Sequence, residues 1–293
     1  MFLKSIHDER YTKSLMKSIS EVPQPSPELL RRAEDVRCAA NALGQASDEH
    51  RRNDGVHDCI VPGSGGKDSI KAAHLLKYKY GMNPLTVTWS PHIYTTWGWA
   101  NLQAWINSGF DNVLYTPNGL VHRLLTRISL ETLLHPFQPF IIGQKVLGPL
   151  MALKFNIPLV FWGEPEAEDG NPIAEYGQSK QDNKYFSSSN SLENCLSGVP
   201  ISELISVYGL SLNDLSVYLP LNPNLLSEKS IDIRYIGYYE RWHPQSNYYY
   251  AAQNSDFKAA PERTAGTYGK YSGIDDKLDD FHYYTTYIKF GIG

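Results

Sequence analysis

The run Val61-Pro62-Gly63-Ser64-Gly65-Gly66-Lys67-Asp68-Ser69 concentrates residue types suited to an anion. It follows the short apolar stretch Cys59-Ile60-Val61, which reads as a buried strand, and precedes a helical pattern over 68–80. A glycine-rich turn between a strand and a helix aims unpaired backbone N–H groups, and the positive end of the helix dipole, at whatever occupies the turn. The expected chemistry is phosphate binding. The run does not fit the Walker pattern, which needs four residues between its glycines and a Ser or Thr directly after the Lys, and it does not fit the dinucleotide fingerprint. A purely structural turn would need the glycines but neither flanking serine, and it would not explain the Lys-Asp pair.

The order Ser-Gly-Gly-Lys-Asp-Ser resembles the PP-loop of the ATP pyrophosphatases, which hold the β- and γ-phosphates of ATP and release them together. The resemblance implies that Ser64 and Ser69 donate hydroxyls, Gly65 and Gly66 bring backbone amides close, and Lys67 neutralises charge. Lys67 and Asp68 would be the catalytic pair, with Asp68 facing Mg2+.

Stepping outward from the loop, strands and helices alternate. Strands are expected at 58–62, 85–89, 112–115 and 157–162, with a fifth over 231–239; helices are expected at 68–80, 97–108, 119–134 and 140–155. This alternation predicts an α/β fold, a parallel sheet of about five strands with helices on both faces, the loop-bearing strand central and ligands at the carboxyl ends of the strands. Residues 1–55 read as a leader or cap with one helix over 27–43, and residues 56–293 as the catalytic domain. A polar stretch near 167–191 reads as a flap over the site.

Other candidates are weaker. Glu164, Glu166 and Glu168 follow a strand end, where a carboxylate could hold a metal or orient ammonia; a solvated acidic loop is the alternative. Tyr268, Lys270 and Asp276 are candidate substrate contacts within a C-terminal run that also holds Asp275, Lys277, Asp279, Asp280 and His282. Apolar residues at Ile274, Leu278, Phe281 and Tyr284 suggest that one face of this run packs while the acids point out. His135 and Tyr248-Tyr249-Tyr250 read as packing residues first, and Lys145 as a surface charge.

The chain of 293 residues has 42% hydrophobic content and a formal charge of -4, with no dense basic block. That balance argues against an extended nucleic-acid footprint. No apolar run reaches the ~18 residues of a membrane span, and the N-terminus is too polar for a signal peptide, so a cytoplasmic protein is expected. Cys38, Cys59 and Cys195 are too scattered for a disulfide framework, and none is placed as a glutaminase nucleophile.

Beyond the loop, the segments Lys79-Tyr80-Gly81-Met82-Asn83-Pro84, Gly109-Phe110-Asp111-Asn112, His135-Pro136-Phe137-Gln138, Phe161-Trp162-Gly163-Glu164 and Gly266-Thr267-Tyr268-Gly269-Lys270-Tyr271 resemble the N-acetyl sugar amidotransferases of the WbpG and PseA type. That resemblance covers roughly residues 51–293. It implies conversion of an acetamido group on a nucleotide-linked sugar to an acetamidino group with ATP and Mg2+, for lipopolysaccharide or flagellin glycans. It also implies two partners, a glutaminase subunit and a channel-forming subunit similar to those of imidazole glycerol phosphate synthase. Members of that family open with paired Cys-x-x-Cys motifs absent here, so no zinc is expected, and they continue past the Lys-Phe-Gly-Ile-Gly stretch, which suggests a fragment or shortened copy. Two alternatives stay open: another PP-loop ligase or tRNA thiolase, and a nucleotide-binding homologue without catalysis.

Overall fold

Four short runs of apolar residues, each bounded by a turn, form the first four strands of a parallel sheet, in a computed structural model that describes residues 26–164 and 194–291. They are β1 (Cys59–Pro62), β2 (Pro84–Trp89), β3 (Asp111–Tyr115) and β4 (Leu159–Trp162). After two minor strands, β5 (Cys195–Leu196) and β6 (Val199–Pro200), a seventh strand, β7 (Asp232–Tyr235), completes the sheet in the order β3-β2-β1-β4-β7. All its pairings are parallel, and β1 is central. The expected α/β architecture is therefore observed. The fifth sheet strand is shorter than the apolar run of 231–239 suggests, because the chain coils into a 3-10 turn at Ile236–Tyr238.

Strand residues alternate between two cores, as the two-residue period of a strand requires. Ile60, Leu85, Val87, Val160 and Ile233 pack on one face with helices α4 (Gly119–Leu133) and α5 (Gln138–Phe155). Cys59, Val61, Leu159 and Phe161 pack on the other with α2 (Lys67–His74), α3 (Thr96–Asn107) and α9 (Pro244–Asn254). Short helices α6 (Ile201–Ser206), α7 (Leu212–Leu215) and α8 (Pro223–Glu228) link β6 to β7. Helix α2 widens into a π-helical turn over Leu75–Lys79 before Gly81 closes it with a positive φ of 65°.

The N-terminal helix α1 (Pro27–His50) is longer than the 27–43 of the sequence expectation. Its second half is tied down: Leu43 is fully buried in the second core, a burial that contributes roughly 1.5–3 kcal/mol. The expected flap at 167–191, with Glu166 and Glu168, lies outside the described residues, as do the first 25.

The C-terminal run and its helix α10 (Asp279–Phe290) follow the expected polarity only in part: Ile274 is buried, Leu278 packs on the first core and Asp280 is exposed. Asp276 and Asp279 are buried, whereas Phe281 and Tyr284 are exposed. The acids are inside because they have partners there: Asp276 accepts from the backbone of His92 at 2.6 Å and Leu278 at 3.0 Å, and Asp279 accepts from Asp276 N at 3.1 Å. For Asp276 these hydrogen bonds and the one from the His92 ring outweigh the loss of solvent, whereas for Asp279 burial wins and raises the carboxyl.

Beside this junction lies a set of packed rings. His92 stacks on His122 at 4.6 Å, His122 Nδ1 meets the Tyr218 hydroxyl at 2.9 Å, and His135 stacks on His282 at 5.2 Å, so His135 has a packing role. Burial, reinforced by neighbouring cations or imidazoles, lowers His74, His122 and His282 to about 4. Groups with depressed imidazole pKa values bind protons more readily once unfolded, so they destabilise the fold as pH falls from about 6.5 towards 4. Asp279, raised by burial to about 7, and Asp275, also raised by burial, act in the opposite sense, but they are two carboxyls against four lowered imidazoles once His135 is included. The urea unfolding midpoint should accordingly fall between pH 6.5 and 4, and His122→Phe should flatten that slope; an unchanged midpoint would contradict the burial of these rings.

Candidate active site

The sheet order places its switch point between β1 and β4, since β2 and β3 extend from one side of β1 while β4 and β7 extend from the other. A crevice opens there at the carboxyl ends of the strands. Its volume is about 290 Å³, and its floor is residues 62–69, the whole glycine-rich loop. One wall is Trp162, Gly163 and Glu164 after β4, with Gln144 of α5; the other is Gly98 and Asn101 of α3 with residues 271–275 of the C-terminal segment.

The loop has its shape for local reasons. Gly65 adopts a φ of 86°, and a Cβ there would lie 2.7 Å from Leu102 Cα and 2.8 Å from Leu102 N, so glycine is required by both backbone conformation and close approach. Gly66 is the N-cap of α2 and carries no side-chain cap, which leaves the first N–H groups of the helix turned towards the crevice. Ser69 Oγ donates to Gly66 O at 2.9 Å and braces the turn.

The charged groups of the loop are held in pairs. Lys67 Nζ donates to Asp68 Oδ2 at 2.5 Å and lies 5.6 Å from the Tyr271 ring centre. Asp68 Oδ1 accepts from Asn247 Nδ2 of α9 at 2.8 Å. Tyr271 is itself fixed, stacked on Tyr248 at 4.4 Å and donating to Gln245 Oε1 at 2.6 Å. Tyr248 thus supports a wall residue, while Tyr250 sits against Lys71 at 4.0 Å and Tyr249 is exposed.

The far wall is carried by the C-terminal segment, which runs beside the β2–α3 turn. Thr95 N donates to Asp275 O at 3.1 Å, Thr95 Oγ1 donates to Ile274 O, and Lys277 N donates to Ile93 O at 2.9 Å. Asn101 locks the same region from α3, donating to Lys258 O at 2.9 Å and accepting from Lys258 N at 2.8 Å. Asp275 faces into the cleft. Burial pushes its carboxyl above the usual range, a hydrogen bond from Ser64 opposes this, the Asp276 charge adds to the rise and Lys67 pulls against it.

Of the residues singled out from sequence, Ser64, Gly65, Gly66, Lys67, Asp68, Ser69 and Glu164 line the crevice. Tyr268, Lys270 and Asp276 do not. Tyr268 is 98% exposed, Lys270 Nζ donates to Pro261 O at 2.6 Å, and the Asp276 carboxylate turns away to His92 Nδ1 at 2.8 Å. Burial alone would raise Asp276, but the His92 and backbone hydrogen bonds outweigh it and hold the carboxyl below its ordinary range. Lys145 is half-buried rather than a surface charge. Sequence reasoning passed over Asn101, Tyr271 and Asn247; only the recurrence of polar residues on otherwise apolar helices α3 and α9 marks two of them.

The residues present suit a polyphosphate, since the floor is a cradle that a Cβ at Gly65 would fill, with hydroxyl, ammonium and helix N–H donors around it. They also suit Mg2+, which takes one or two carboxylates and completes its shell with phosphate oxygens and water. Asp68 and Glu164 are at the crevice, and among the described residues no group of three or more His, Cys, Asp or Glu forms a dedicated cage.

No protein-family model matches the sequence, and no curated protein matches it. Among solved structures, the chain is similar to an NH3-dependent NAD synthetase from Campylobacter jejuni at 10% identity, over 74% of this chain and 95% of that one, with a TM-score of 0.35. It is similar to an NMN synthetase from Francisella tularensis at 16% identity, over 50% and 57%, with a TM-score of 0.33. A U34-tRNA thiolase, NcsA, from Methanococcus maripaludis gives 16% identity over 74% and 79%, with a TM-score of 0.31. Likeness at this level says nothing of chemistry, which rests on the cleft's own residues.

Gly65→Ala tests the cradle. The substitution should cost at least the ~1–2 kcal/mol of a left-handed backbone and push the loop off α3, lowering the urea midpoint and weakening binding of inorganic pyrophosphate in calorimetry. Wild-type pyrophosphate affinity in this variant would show that the loop is not the anion site.

Proposed function

We propose that this chain is a PP-loop enzyme that cleaves ATP between its α- and β-phosphates to activate a carbonyl oxygen for attack by ammonia. The observation that carries this reading is the loop itself: Ser-Gly-Gly-Lys-Asp-Ser wrapped around the N-terminus of α2 at the switch point of a parallel sheet. A phosphate cradle with the lysine directly before the acid and serine is arranged to hold a departing pyrophosphate.

An amide carbonyl is a poor electrophile because its nitrogen donates into it. Its oxygen becomes a leaving group once it attacks the α-phosphate: a new P–O bond forms, and the bond to the β-phosphate oxygen breaks. Charge accumulates on the leaving pyrophosphate, where Lys67, the Ser64 and Ser69 hydroxyls and the N–H groups of Gly66 and α2 supply donors fixed in advance. A bound Mg2+ would neutralise phosphate charge, and Asp68 would hold it. Ammonia then adds to the activated carbon, AMP leaves, and the product is an amidine.

The sequence resemblance extends the proposal to the acceptor, an acetamido group on a nucleotide-linked sugar, in surface polysaccharide or flagellin glycan synthesis. It extends it also to a partner glutaminase and a channel-forming subunit. Cys59 supports the need for an ammonia source, since it is fully buried in β1 and burial pushes its thiol well above the ordinary range, unlike a nucleophile.

The test is incubation with Mg·ATP, ammonium and a panel of nucleotide-linked acetamido sugars, reading pyrophosphate release and the mass change of O to NH. Lys67→Ala and Asp68→Ala should each lower pyrophosphate release by about 10²–10³-fold or more with the fold intact by circular dichroism. Wild-type rates in either variant would defeat the assignment. The purified chain should use ammonium but not glutamine; steady glutamate release from glutamine by the chain alone would disprove the division of labour.

A further inference from the structure

One side chain grips the phosphate loop from a distant helix without lining the crevice itself. Asn247 of α9 is 2% exposed, and its Nδ2 donates to Asp68 Oδ1 at 2.8 Å. The other carboxylate oxygen, Oδ2, accepts from Lys67 Nζ at 2.5 Å. Asp68 is therefore held at both oxygens, by a neutral amide at one and by an ammonium at the other.

The amide is itself fixed by its helix. Asn247 N donates to His243 O at 3.0 Å in the first turn of α9. That helix packs on α2, the helix that carries Asp68, with Ala251 fully buried in the second core and Lys71 Nζ of α2 4.0 Å from the Tyr250 ring centre. The backbone of Asp68 has a second neighbour after β4, since a Cβ at Gly163 would stand 3.4 Å from Asp68 O. Main chain and side chain of Asp68 are thus both constrained by tertiary contacts.

The last torsion of an aspartate is broad and roughly two-fold, so Lys67 alone would let the carboxylate turn about the pair. An ammonium is a rotatable point charge and sets no plane. The amide supplies the second fixed point, and it does so without neutralising the carboxylate as a Lys or Arg in its place would. An ionised carboxylate has about four lone-pair sites on its two oxygens. Asn247 and Lys67 engage one on each oxygen, and the remainder face other ligands.

We propose that Asn247 is a positioning residue that sets the orientation in which Asp68 receives a divalent cation at the phosphate loop. It acts through Asp68 alone. This rests on the nucleotide reading above and adds to it the residue that aims the loop's carboxylate. Hydrogen-bond partners of metal-binding side chains are worth about 10–100-fold in metal affinity. The Asp68 side chain is 21% exposed, so water can replace a lost amide, and what the loss removes is direction.

The experiment is calorimetric binding of inorganic pyrophosphate, once with excess Mg2+ and once with chelator, reading the ratio of the two affinities with no turnover involved. In the wild type Mg2+ should tighten binding. Asn247→Leu, close in shape but without a donor, should lower the ratio by about tenfold or more. The chelator arm should stay within about twofold, because Lys67, the Ser64 and Ser69 hydroxyls and the N–H groups of α2 still face the anion. Asn247→Ala supplies the same test should the leucine variant fold poorly. Tyr250→Leu removes a packing contact between α9 and α2 without touching Asp68; it should lower the urea midpoint and keep the wild-type ratio.

A packing role for Asn247 would weaken both arms together and leave the ratio unmoved, and that result would overturn the proposal. An equal fall of the ratio in Tyr250→Leu would overturn it too, by tracing the effect to the helix and not to the amide. If the wild type binds pyrophosphate but is indifferent to Mg2+, or if the Asn247 variants keep its ratio, this inference alone falls. If the wild type binds pyrophosphate in neither arm, the nucleotide reading falls and this inference with it.

Discussion

Two backbones lie against one face of helix α3 without side chains intervening: Gly65 against the backbone of Leu102 and, one helical turn away, Asp275 against the backbone of Gly98. Both contacts are short enough that a single methyl group would separate the parts. The rest of the site follows from this double approach, because it sets the distance between the phosphate loop and the C-terminal wall and so the width of the crevice. Close-packed interiors transmit such displacements rather than absorb them.

Charge at the crevice is arranged with the same economy. The loop brings one lysine and one aspartate, and they neutralise each other. The wall brings a further carboxylate, the segment after β4 brings Glu164, and α9 brings the Asn247 amide that orients Asp68. Each polar group that reaches the loop comes from a different stretch of sequence, so the electrostatics of the site belong to the tertiary fold and not to the motif. The motif sets the shape of the crevice floor; the surroundings set the charges that face it.

Much of the architecture was legible from sequence because the sheet strands are short, apolar and bounded by turns. β1 ends at Pro62 and a glycine turn, and β2 begins at Pro84 after Gly81, so periodicity and punctuation agree. The loop was legible for the same reason, since backbone geometry there demands glycine. What could not be read was the choice between Asp275 and Asp276. Successive residues in extended backbone point to opposite sides, and one of this pair meets Ser64 while the other meets His92. Only the register of the segment against Thr95 decides which. The part of the C-terminal run that departs from its expected polarity has a similar cause: the local pattern places the acids outside, but Asp276 and Asp279 are buried beside His92, where they find N–H donors. Helix α1 was read short because its anchoring residues, Leu43, Ala46 and Ser47, occupy too narrow a stripe to show as amphipathicity.

The wall of the crevice and its floor are separated by most of the chain, and synthesis runs in one direction. A ribosome therefore exposes the phosphate loop, its strand and α2 long before residues 271–275 emerge to face them. Until then the loop lacks both the Asn247 amide that holds Asp68 and the wall formed by residues 271–275. Sites whose contacts span long sequence separations form late, because loop closure must precede the reward of the contact. The order of synthesis thus leaves the crevice without one of its walls until residues 271–275 have been translated.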